Sequence, residues 1–518
     1  MKRRTFGHWL ARGGAAALGV AAGGCAAPVP RVGPAVAAAG QVATRVPDAP
    51  APAAAPLLPE PGPAVPLHIP ERTEEALGDH GLTLIVAPRP GLPLVSVALM
   101  VRCGPAFDSP GRRGTAELMA QLLTRGAVRR GRPVDGVALA RQAEALGGAV
   151  SVRVDDRLTV LEMTVLAPRA AAALALLSDL LRRPVFAATD LLSVRAQARD
   201  ALALRMQDPA QLAALVARRT AWGADPQGRV TTPDSLMAVR REDVVALHRR
   251  WVRPDRVAVV LAGDLDAAGA REWTRPVLED WQRPPEPLPG DPVEPAALPS
   301  ELLLPQTLLL HLPAAAQTSV LVCAPFVGAE ATDHAAGALA AAVVGAGYSA
   351  RLNQEVRIRR GLSYGVTGRI EQQRLTGLFI ASAQTDHAHA AEVATLMQTQ
   401  LLALAQQPVG AAELGARRAA LIGGLARQLD TTSGLVARIG EDWARGSTPA
   451  HLARWPVQLE AVSPAQVRAF AQRHWTPERL RAVVAGPADR VFAATAQPAG
   501  VLRLEAATLD LRRPALGR

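Results

Sequence analysis

The sequence predicts an α+β fold with two homologous halves. Each half is expected to be a mainly antiparallel sheet with helices packed on one side, and the two halves are expected to form a clamshell. Three observations support this: an internal repeat, strand and helix patterns that recur in the same order, and a proline-rich stretch between the two copies.

The internal repeat has an almost constant offset. Residues 239–263 align without gaps to residues 462–486, which lie 223 positions later, and the surroundings of Pro184 match those of Pro408 at an offset of 224. A self-match of this kind indicates a duplicated unit of about 220 residues. The proline-rich residues 283–306 between the copies are typical of a linker.

Strand and helix patterns follow one another in the same order in both halves. In the first half, residues 94–102 alternate apolar and polar side chains like a strand, residues 114–126 have apolar side chains at helical spacing, and residues 189–206 predict a long helix. The second half repeats the series, beginning with a strand at 317–326 and a helix at 335–344.

These patterns predict six segments along the chain. They are an export or lipoprotein signal at 1–25, an Ala/Pro-rich tether at 26–71, a first half at 72–282, a proline-rich linker at 283–306, a second half at 307–495 and a tail at 496–518.

The N-terminus has the features of a bacterial export signal. Lys2, Arg3 and Arg4 precede an apolar stretch that is too short to span a membrane. The small residues before Cys25 resemble a lipobox, which predicts a lipidated Cys25 and a protein tethered in the periplasm or cell envelope. The alternative is an ordinary signal peptide in which Cys25 has no role.

The charge balance does not indicate nucleic-acid binding. The formal net charge is +11, but aromatic residues make up only 3% of the chain. No basic run is interleaved with the aromatic side chains on which single-stranded bases stack. We therefore expect no nucleic-acid partner.

The other two cysteines, Cys103 and Cys323, lie in apolar strand-like runs far apart in the sequence. This placement favours two buried thiols over a disulfide. No CxxC pair is present, so the cysteines do not predict a zinc site.

A helix–glycine–strand corner carries the candidate functional residues. Residues 350–360 predict a helix, Gly361 stands where a left-handed terminating glycine belongs, and residues 362–367 alternate like a strand. The corner can bring Arg357, in the last helical turn, close to Tyr364, one of only two tyrosines in the chain. The alternative is a basic helix end followed by a core tyrosine.

Together with the duplication, the second-half stretch SARLNQEVRIRRGLSYGV resembles the pitrilysin-type (inverzincin) zinc metallopeptidases, whose relatives include the mitochondrial processing peptidase. The resemblance covers roughly residues 82–490. It implies that Arg357 and Tyr364 bind the substrate backbone and stabilise the developing oxyanion across a cavity between the halves.

The first half departs from this family at its catalytic motif, H-x-x-E-H. Glu117, Ala120 and Gln121 stand where the motif has His, Glu and His, and Ala201 stands near the position of the third ligand, a Glu. A site with one carboxylate and one amide is a poor zinc site, and a methyl group cannot act as a general base. We therefore expect this chain to hold no zinc and to be inactive alone.

The resemblance also implies a partner, because some family members divide these parts between two chains. We expect a non-catalytic subunit that forms a heterodimer with a homologous zinc-bearing peptidase subunit. In that complex Arg357 and Tyr364 would act in trans on a peptide substrate. The alternative is a catalytically dead scaffold or peptide-binding protein with the same fold.

Overall fold

The computed structural model describes residues 67–223, 225, 228–288, 290–292, 304–492 and 500–517. The predicted signal, Cys25, most of the tether and much of the predicted linker lie outside the described residues. The described residues belong to one compact unit.

The first half alternates strands and helices in the predicted order. Its elements are β1 (Thr73–Leu77), β2 (Leu82–Pro88), β3 (Leu94–Val101), α1 (Thr115–Leu123), β4 (Gly126–Arg129), β5 (Arg132–Asp135), α2 (Gly136–Ala145), β6 (Ser151–Asp155), β7 (Leu158–Leu166), α3 (Ala170–Arg182), α4 (Ala188–Gln207), α5 (Pro209–Trp222), α6 (Pro233–Ala238), α7 (Arg241–Trp251), β8 (Val257–Gly263) and α8 (Ala267–Leu278).

The second half has a similar series, with three differences: a π-helix stands in place of α2, the hairpin β4–β5 has no counterpart, and the edge strand that matches β1 comes last, as β14. Its elements are β9 (Thr307–His311), β10 (Thr318–Val327), α9 (His334–Gly345), the π-helix (Asn353–Arg359), β11 (Ser363–Gln372), β12 (Thr376–Thr385), α10 (Ala390–Gln406), α11 (Ala411–Leu429), α12 (Thr432–Arg445), α13 (Pro449–Ala461), α14 (Pro464–His474), β13 (Arg481–Gly486), α15 (Ala488–Val491) and β14 (Val501–Glu505).

Each half contains a six-stranded sheet, and the two sheets have matching strand orders. The first is β1-β2-β8-β3-β7-β6, and the second, read from its other edge, is β14-β9-β13-β10-β12-β11. The parallel pair β2–β8 corresponds to the parallel pair β9–β13, and most other neighbours are antiparallel. The predicted fold class is confirmed. Within the predicted tail at 496–518, residues Val501–Glu505 form the edge strand β14, which pairs with β9.

One face of each sheet is covered by helices of its own half. Side chains of β3, such as Val97 and Leu99, share a core with Leu118 of α1 and Leu177 of α3, all at most 1% exposed. In the second half, Val343 of α9 takes part in the equivalent core. Burial of these apolar side chains is the main stabilising contribution within each half.

The opposite face of each sheet is covered by a helix from the other half. Helix α5 of the first half packs Leu212 and Val216 against Leu321 on the second sheet. In return, α12 of the second half packs Val436 and Ile439 against the first sheet. This reciprocal exchange of helices makes the two halves depend on each other for their cores.

Polar contacts accompany the exchange. Arg102, directly after β3, donates a hydrogen bond to the backbone oxygen of Trp443 at 2.7 Å, and its guanidinium lies 4.2 Å from the centroid of the Trp443 ring. Arg89 forms an ion pair with Asp430 at 2.7 Å, also between the halves. These contacts fix the position of α12 on the sheet more specifically than apolar packing alone.

Cys103 and Cys323 are buried free thiols, as predicted. Burial raises the pKa of the Cys323 thiol to about 12 and raises that of Cys103 as well. Among the helices that the structure describes, none is both long and apolar enough to cross a membrane.

Candidate functional site

The predicted helix–glycine–strand corner is present, but most of its helix is a π-helix. The π-helix ends at Arg359, and two residues later Gly361 has a φ of +65°, in the left-handed region that favours glycine. The backbone N–H of Gly361 donates to the oxygen of Arg357 at 3.0 Å, and that of Leu362 donates to the oxygen of Val356 at 2.9 Å. Wider helical turns of this type are frequent at functional sites.

A buried asparagine attaches the π-helix to the strand that follows it. The Asn353 amide donates to the backbone oxygens of Gly347 and Val366 at 3.0 and 2.8 Å, and it accepts a hydrogen bond from the Val366 N–H at 2.9 Å. Between Ser363 and Val366 the register of β11 shifts, which marks a β-bulge. Tyr364 lies in this bulge and is 90% exposed.

The guanidinium of Arg357 lies between the two tyrosine rings of the chain. Its central carbon is 4.9 Å from the ring centroid of Tyr364 and 5.1 Å from that of Tyr348. Tyr348 is 62% exposed, so neither ring belongs to the core and the core-tyrosine alternative is excluded. Tyr348 was not predicted as a site residue from the sequence, although the rarity of tyrosine and its place in the turn before the π-helix could have indicated it.

The other arginines of this corner are paired with carboxylates. Arg359 and Arg360 both donate to Glu355, at 3.0 and 2.9 Å. The hydrogen bond from Arg360 holds the pKa of Glu355 below its usual value; burial opposes this shift, and the hydrogen bond from Arg359 adds to it. Arg351 makes a bidentate contact with Glu413 at 2.8 and 3.0 Å. Within the part of the chain that the structure describes, the Arg357 side chain makes no hydrogen bond or ion pair.

The four positions that correspond to the zinc motif converge in the first half. Glu117, Ala120 and Gln121 on α1 and Ala201 on α4 all line one cavity of about 1130 Å³. The Glu117 carboxylate accepts a hydrogen bond from the Thr231 hydroxyl at 3.3 Å. The described residues that line this cavity all come from the first half, so they do not include Arg357 or Tyr364.

Helix α1 is held by a buried carboxylate that our sequence analysis missed. Asp108 accepts hydrogen bonds from the backbone N–H groups of Gly114 and Ala116 at 2.8 and 2.9 Å, which satisfies donors at the start of the helix. Burial raises the pKa of Asp108 to about 7, and neighbouring Arg113 opposes this shift. The first turn of the degenerate motif is therefore kept in place although the catalytic side chains are absent.

The chemistry of the cavity does not fit a catalytic zinc ion. Glu117 is the only carboxylate or imidazole at the four motif positions, since Ala120 and Ala201 have no ligand atom and Gln121 offers a neutral amide. In the described ranges, no group of three or more His, Cys, Asp or Glu residues is arranged to hold a metal ion. Apolar side chains such as Val152 make up much of the remaining wall.

Two family models match consecutive parts of the chain. Residues 85–231 match the model of insulinase, peptidase family M16, and residues 238–421 match the model of the peptidase M16 inactive domain. The first match contains the degenerate zinc motif, and the second contains the corner with Arg357 and Tyr364.

Curated relatives and solved structures are similar to this chain over most of its length. An uncharacterized zinc protease of Mycobacterium tuberculosis is 26% identical over 416 residues, covering 79% of this chain and 91% of the relative. One of Streptomyces coelicolor is 23% identical over 404 residues, covering 76% and 85%. A peptidase M16 inactive domain from Pseudomonas fluorescens superposes with a TM-score of 0.72 at 21% identity, covering 80% of this chain and 98% of that one. A protease from Helicobacter pylori has a TM-score of 0.72 at 14% identity, covering 80% and 100%.

Proposed function

Because the chain belongs to peptidase family M16 and lacks the family's catalytic motif, we propose that it is the non-catalytic subunit of a two-chain zinc peptidase. It supplies Arg357 and Tyr364 to the active site of a homologous zinc-bearing chain. The substrate is a peptide, and the zinc ion belongs to the partner.

One observation carries this proposal: the zinc-binding part of the family's active site is lost in this chain, whereas the Arg/Tyr pair is retained. The zinc-motif positions hold no imidazole, whereas Arg357 and Tyr364 remain next to each other, with Tyr364 90% exposed. An exposed phenol and a guanidinium without a carboxylate partner serve no evident purpose in the fold. They are suited to a ligand that reaches them from outside the chain.

The chemistry of the pair fits peptide hydrolysis. In the partner's site the zinc ion would supply an activated water and polarise the scissile carbonyl. The attack places negative charge on the carbonyl oxygen, and positioned donors stabilise such a charge strongly in a site closed to bulk water. The Tyr364 hydroxyl donates one hydrogen bond, and the Arg357 guanidinium donates charge-assisted hydrogen bonds to the substrate.

Reconstitution tests the proposal. The purified chain is mixed with a homologous chain from the same genome that carries an intact H-x-x-E-H motif, and peptide cleavage is measured for each chain and for the mixture. We expect activity to require both chains and to saturate near equimolar amounts.

Arg357→Ala should raise the KM of the mixture, because it removes charge-assisted donors to the substrate. Arg359→Ala is the matched control, since Arg359 lies on the same helix but is paired with Glu355. A zinc-bearing chain that is equally active without this subunit contradicts the proposal.

A second candidate function is a peptide-binding scaffold without a catalytic role. The cavity of about 1130 Å³ in the first half favours it, because it is large enough for several side chains and has a partly apolar wall. A scaffold does not need the Tyr364 hydroxyl. Removing this hydroxyl therefore separates the two candidates.

We also propose that the protein is tethered in the periplasm or cell envelope through a lipid on Cys25. The basic residues, apolar stretch and small residues before Cys25 support this assignment. Cys25→Ser should move the protein from the membrane fraction to the soluble fraction of the host cell. Retention of Cys25→Ser in the membrane fraction would contradict the lipid tether.

A further inference from the structure

Tyr348, the second neighbour of Arg357, has no role in the proposed function. It lies in the turn between α9 and the π-helix, sixteen positions before Tyr364 in the sequence. The structure nevertheless brings both rings to the same guanidinium, at 5.1 and 4.9 Å. Both distances are within the range of about 6 Å over which a cation is attracted to a ring face.

The turn that carries Tyr348 is anchored on several sides. Arg417 donates to the backbone oxygen of Ala346 at 2.9 Å and to the Ser349 hydroxyl at 3.0 Å. The Asn353 amide donates to the oxygen of Gly347, and the Gln354 amide donates to the oxygen of Tyr348 at 3.3 Å. These contacts fix the backbone on both sides of Tyr348, so its ring is held near Arg357 by more than its own stacking.

The surroundings of Arg357 indicate why two rings are used. A carboxylate, as on Arg351, Arg359 and Arg360, would neutralise the guanidinium and occupy its donors. Aromatic rings restrict the guanidinium through its faces and leave the N–H groups in its plane available. The two tyrosines can thus orient Arg357 without competing with a substrate for its hydrogen bonds.

We propose that Tyr348 is a positioning residue that, together with Tyr364, holds Arg357 in a substrate-ready orientation. It acts through Arg357 and does not contact the reacting atoms. The inference rests on the proposed function, because it concerns the same Arg357 and Tyr364. Its structural part, the Tyr348–Arg357–Tyr364 stack, can be tested on the isolated chain.

Tyrosine NMR tests the stack directly. Because the chain has only two tyrosines, uniform labelling with 3-fluorotyrosine gives one ¹⁹F signal for each, and Tyr348→Phe assigns them. We expect Arg357→Met to shift both signals, whereas the control Arg359→Met shifts neither, since Arg359 is bound to Glu355. A Tyr348 signal that is unchanged in Arg357→Met overturns the proposal.

Kinetics of the two-chain enzyme test the positioning role. Tyr348→Leu removes one ring face, and loss of an exposed cation–π contact should raise KM about two- to fivefold while kcat changes little. Tyr348→Phe keeps the ring and should restore the KM of the wild type. Equal KM values for Tyr348→Leu and the wild type, or equal defects in the Leu and Phe variants, overturn the role.

Different results would contradict the proposed function and the role of Tyr348. If Tyr364→Phe leaves turnover unchanged, the proposed function is wrong, and Tyr348 positions no catalytic group. In that case the ¹⁹F shifts still report whether the three side chains are stacked. If the shifts are absent but Tyr364→Phe is inactive, the proposed function stands and the role of Tyr348 is overturned.

Discussion

Ala120 is the residue that most limits the chemistry available in the first-half cavity. It stands where the family has its general base, it is 2% exposed, and its methyl group cannot accept a proton. Glu117 and Gln121 flank it on the same helix, one turn apart, and line the same cavity as Ala201. The positions are still assembled, so the loss of chemistry follows from side-chain identity and not from a distorted fold.

This arrangement predicts the zinc content of the protein. We expose the purified protein to excess zinc, dialyse it and measure its metal content. It should contain far less than one zinc per chain, because one carboxylate and one amide bind zinc weakly.

A variant with Glu117→His, Gln121→His and Ala201→Glu is the positive control, since it places three ligands around the same cavity, and we expect it to retain zinc. About one tightly bound zinc in the unmodified chain would contradict our interpretation of the site.

Some residues of the site could be predicted from the sequence, and others could not. Gly361, Arg357 and Tyr364 follow from local patterns, because a left-handed glycine between a helix and a strand determines which side chains meet. Tyr348 could not be placed in this way, since its approach depends on the π-helix and on hydrogen bonds from Asn353. Asp108 was missed for a similar reason: it caps a helix that begins seven residues later.

At the scale of elements, α12 is the helix whose packing should be most sensitive to changes in side-chain volume. It packs Val436 and Ile439 on the face of the first sheet that the helices of the first half leave uncovered, where Met100 and Val260 are fully buried. A Cβ at Gly440 would lie 2.6 Å from the Met100 sulfur, so the helix approaches the sheet closely at this glycine. Volume changes in this contact should therefore be costly.

Ile439→Ala should lower the free energy of unfolding by about 2–4 kcal/mol, because it leaves a cavity between α12 and the first sheet. Val457→Ala on α13 is the matched control, since Val457 is 65% exposed, and its effect should be within about 0.5 kcal/mol. Urea denaturation monitored by tryptophan fluorescence measures both. Equally small effects would mean that α12 is not packed on the sheet as described.

Helix α9 begins with a histidine that should make the protein sensitive to acid. Burial lowers the pKa of His334 to about 4, and its Nε2 lies 2.8 Å from the Gln372 side-chain oxygen. Between about pH 4 and 6.5 the folded state binds fewer protons at this site than the unfolded state. The free energy of unfolding should therefore fall by about 1–3 kcal/mol as the pH is lowered through this window.

The His334→Gln variant isolates this contribution. Urea unfolding at about pH 7 and about pH 4.5 should show a smaller loss of stability in His334→Gln than in the wild type. His68→Gln, at an exposed position, should behave like the wild type. The same pH dependence in all three proteins would contradict the assignment to His334.

At the scale of the whole molecule, the duplication was predictable and the exchange of helices was not. The constant offset identified two similar units, and their sheets have the same strand order. The sequence does not reveal that α5 and α12 each cover the sheet of the other half, because an amphipathic helix does not specify which apolar surface it packs on. Strand β14 was missed because it pairs with β9, far away in the sequence.

The exchange has a consequence for function. Because each half completes the core of the other, the first half is needed for folding even though its zinc motif is degenerate. The cavity and α1 are intact although the catalytic side chains are absent. This is consistent with a subunit in which the second half carries the functional residues. The proposed function then requires that the corner of the second half acts on a partner's substrate.

The turnover of the two-chain enzyme with Tyr364→Phe tests this claim most directly. The substitution removes only a hydroxyl from a 90% exposed side chain and keeps the ring over Arg357, so folding and assembly should be unchanged. We predict that the variant forms the complex, as measured by analytical ultracentrifugation, but that kcat falls by about 10²–10³-fold, the usual effect of losing one oxyanion donor. A complex that assembles and cleaves peptides at the wild-type rate would contradict the claim and favour the scaffold function.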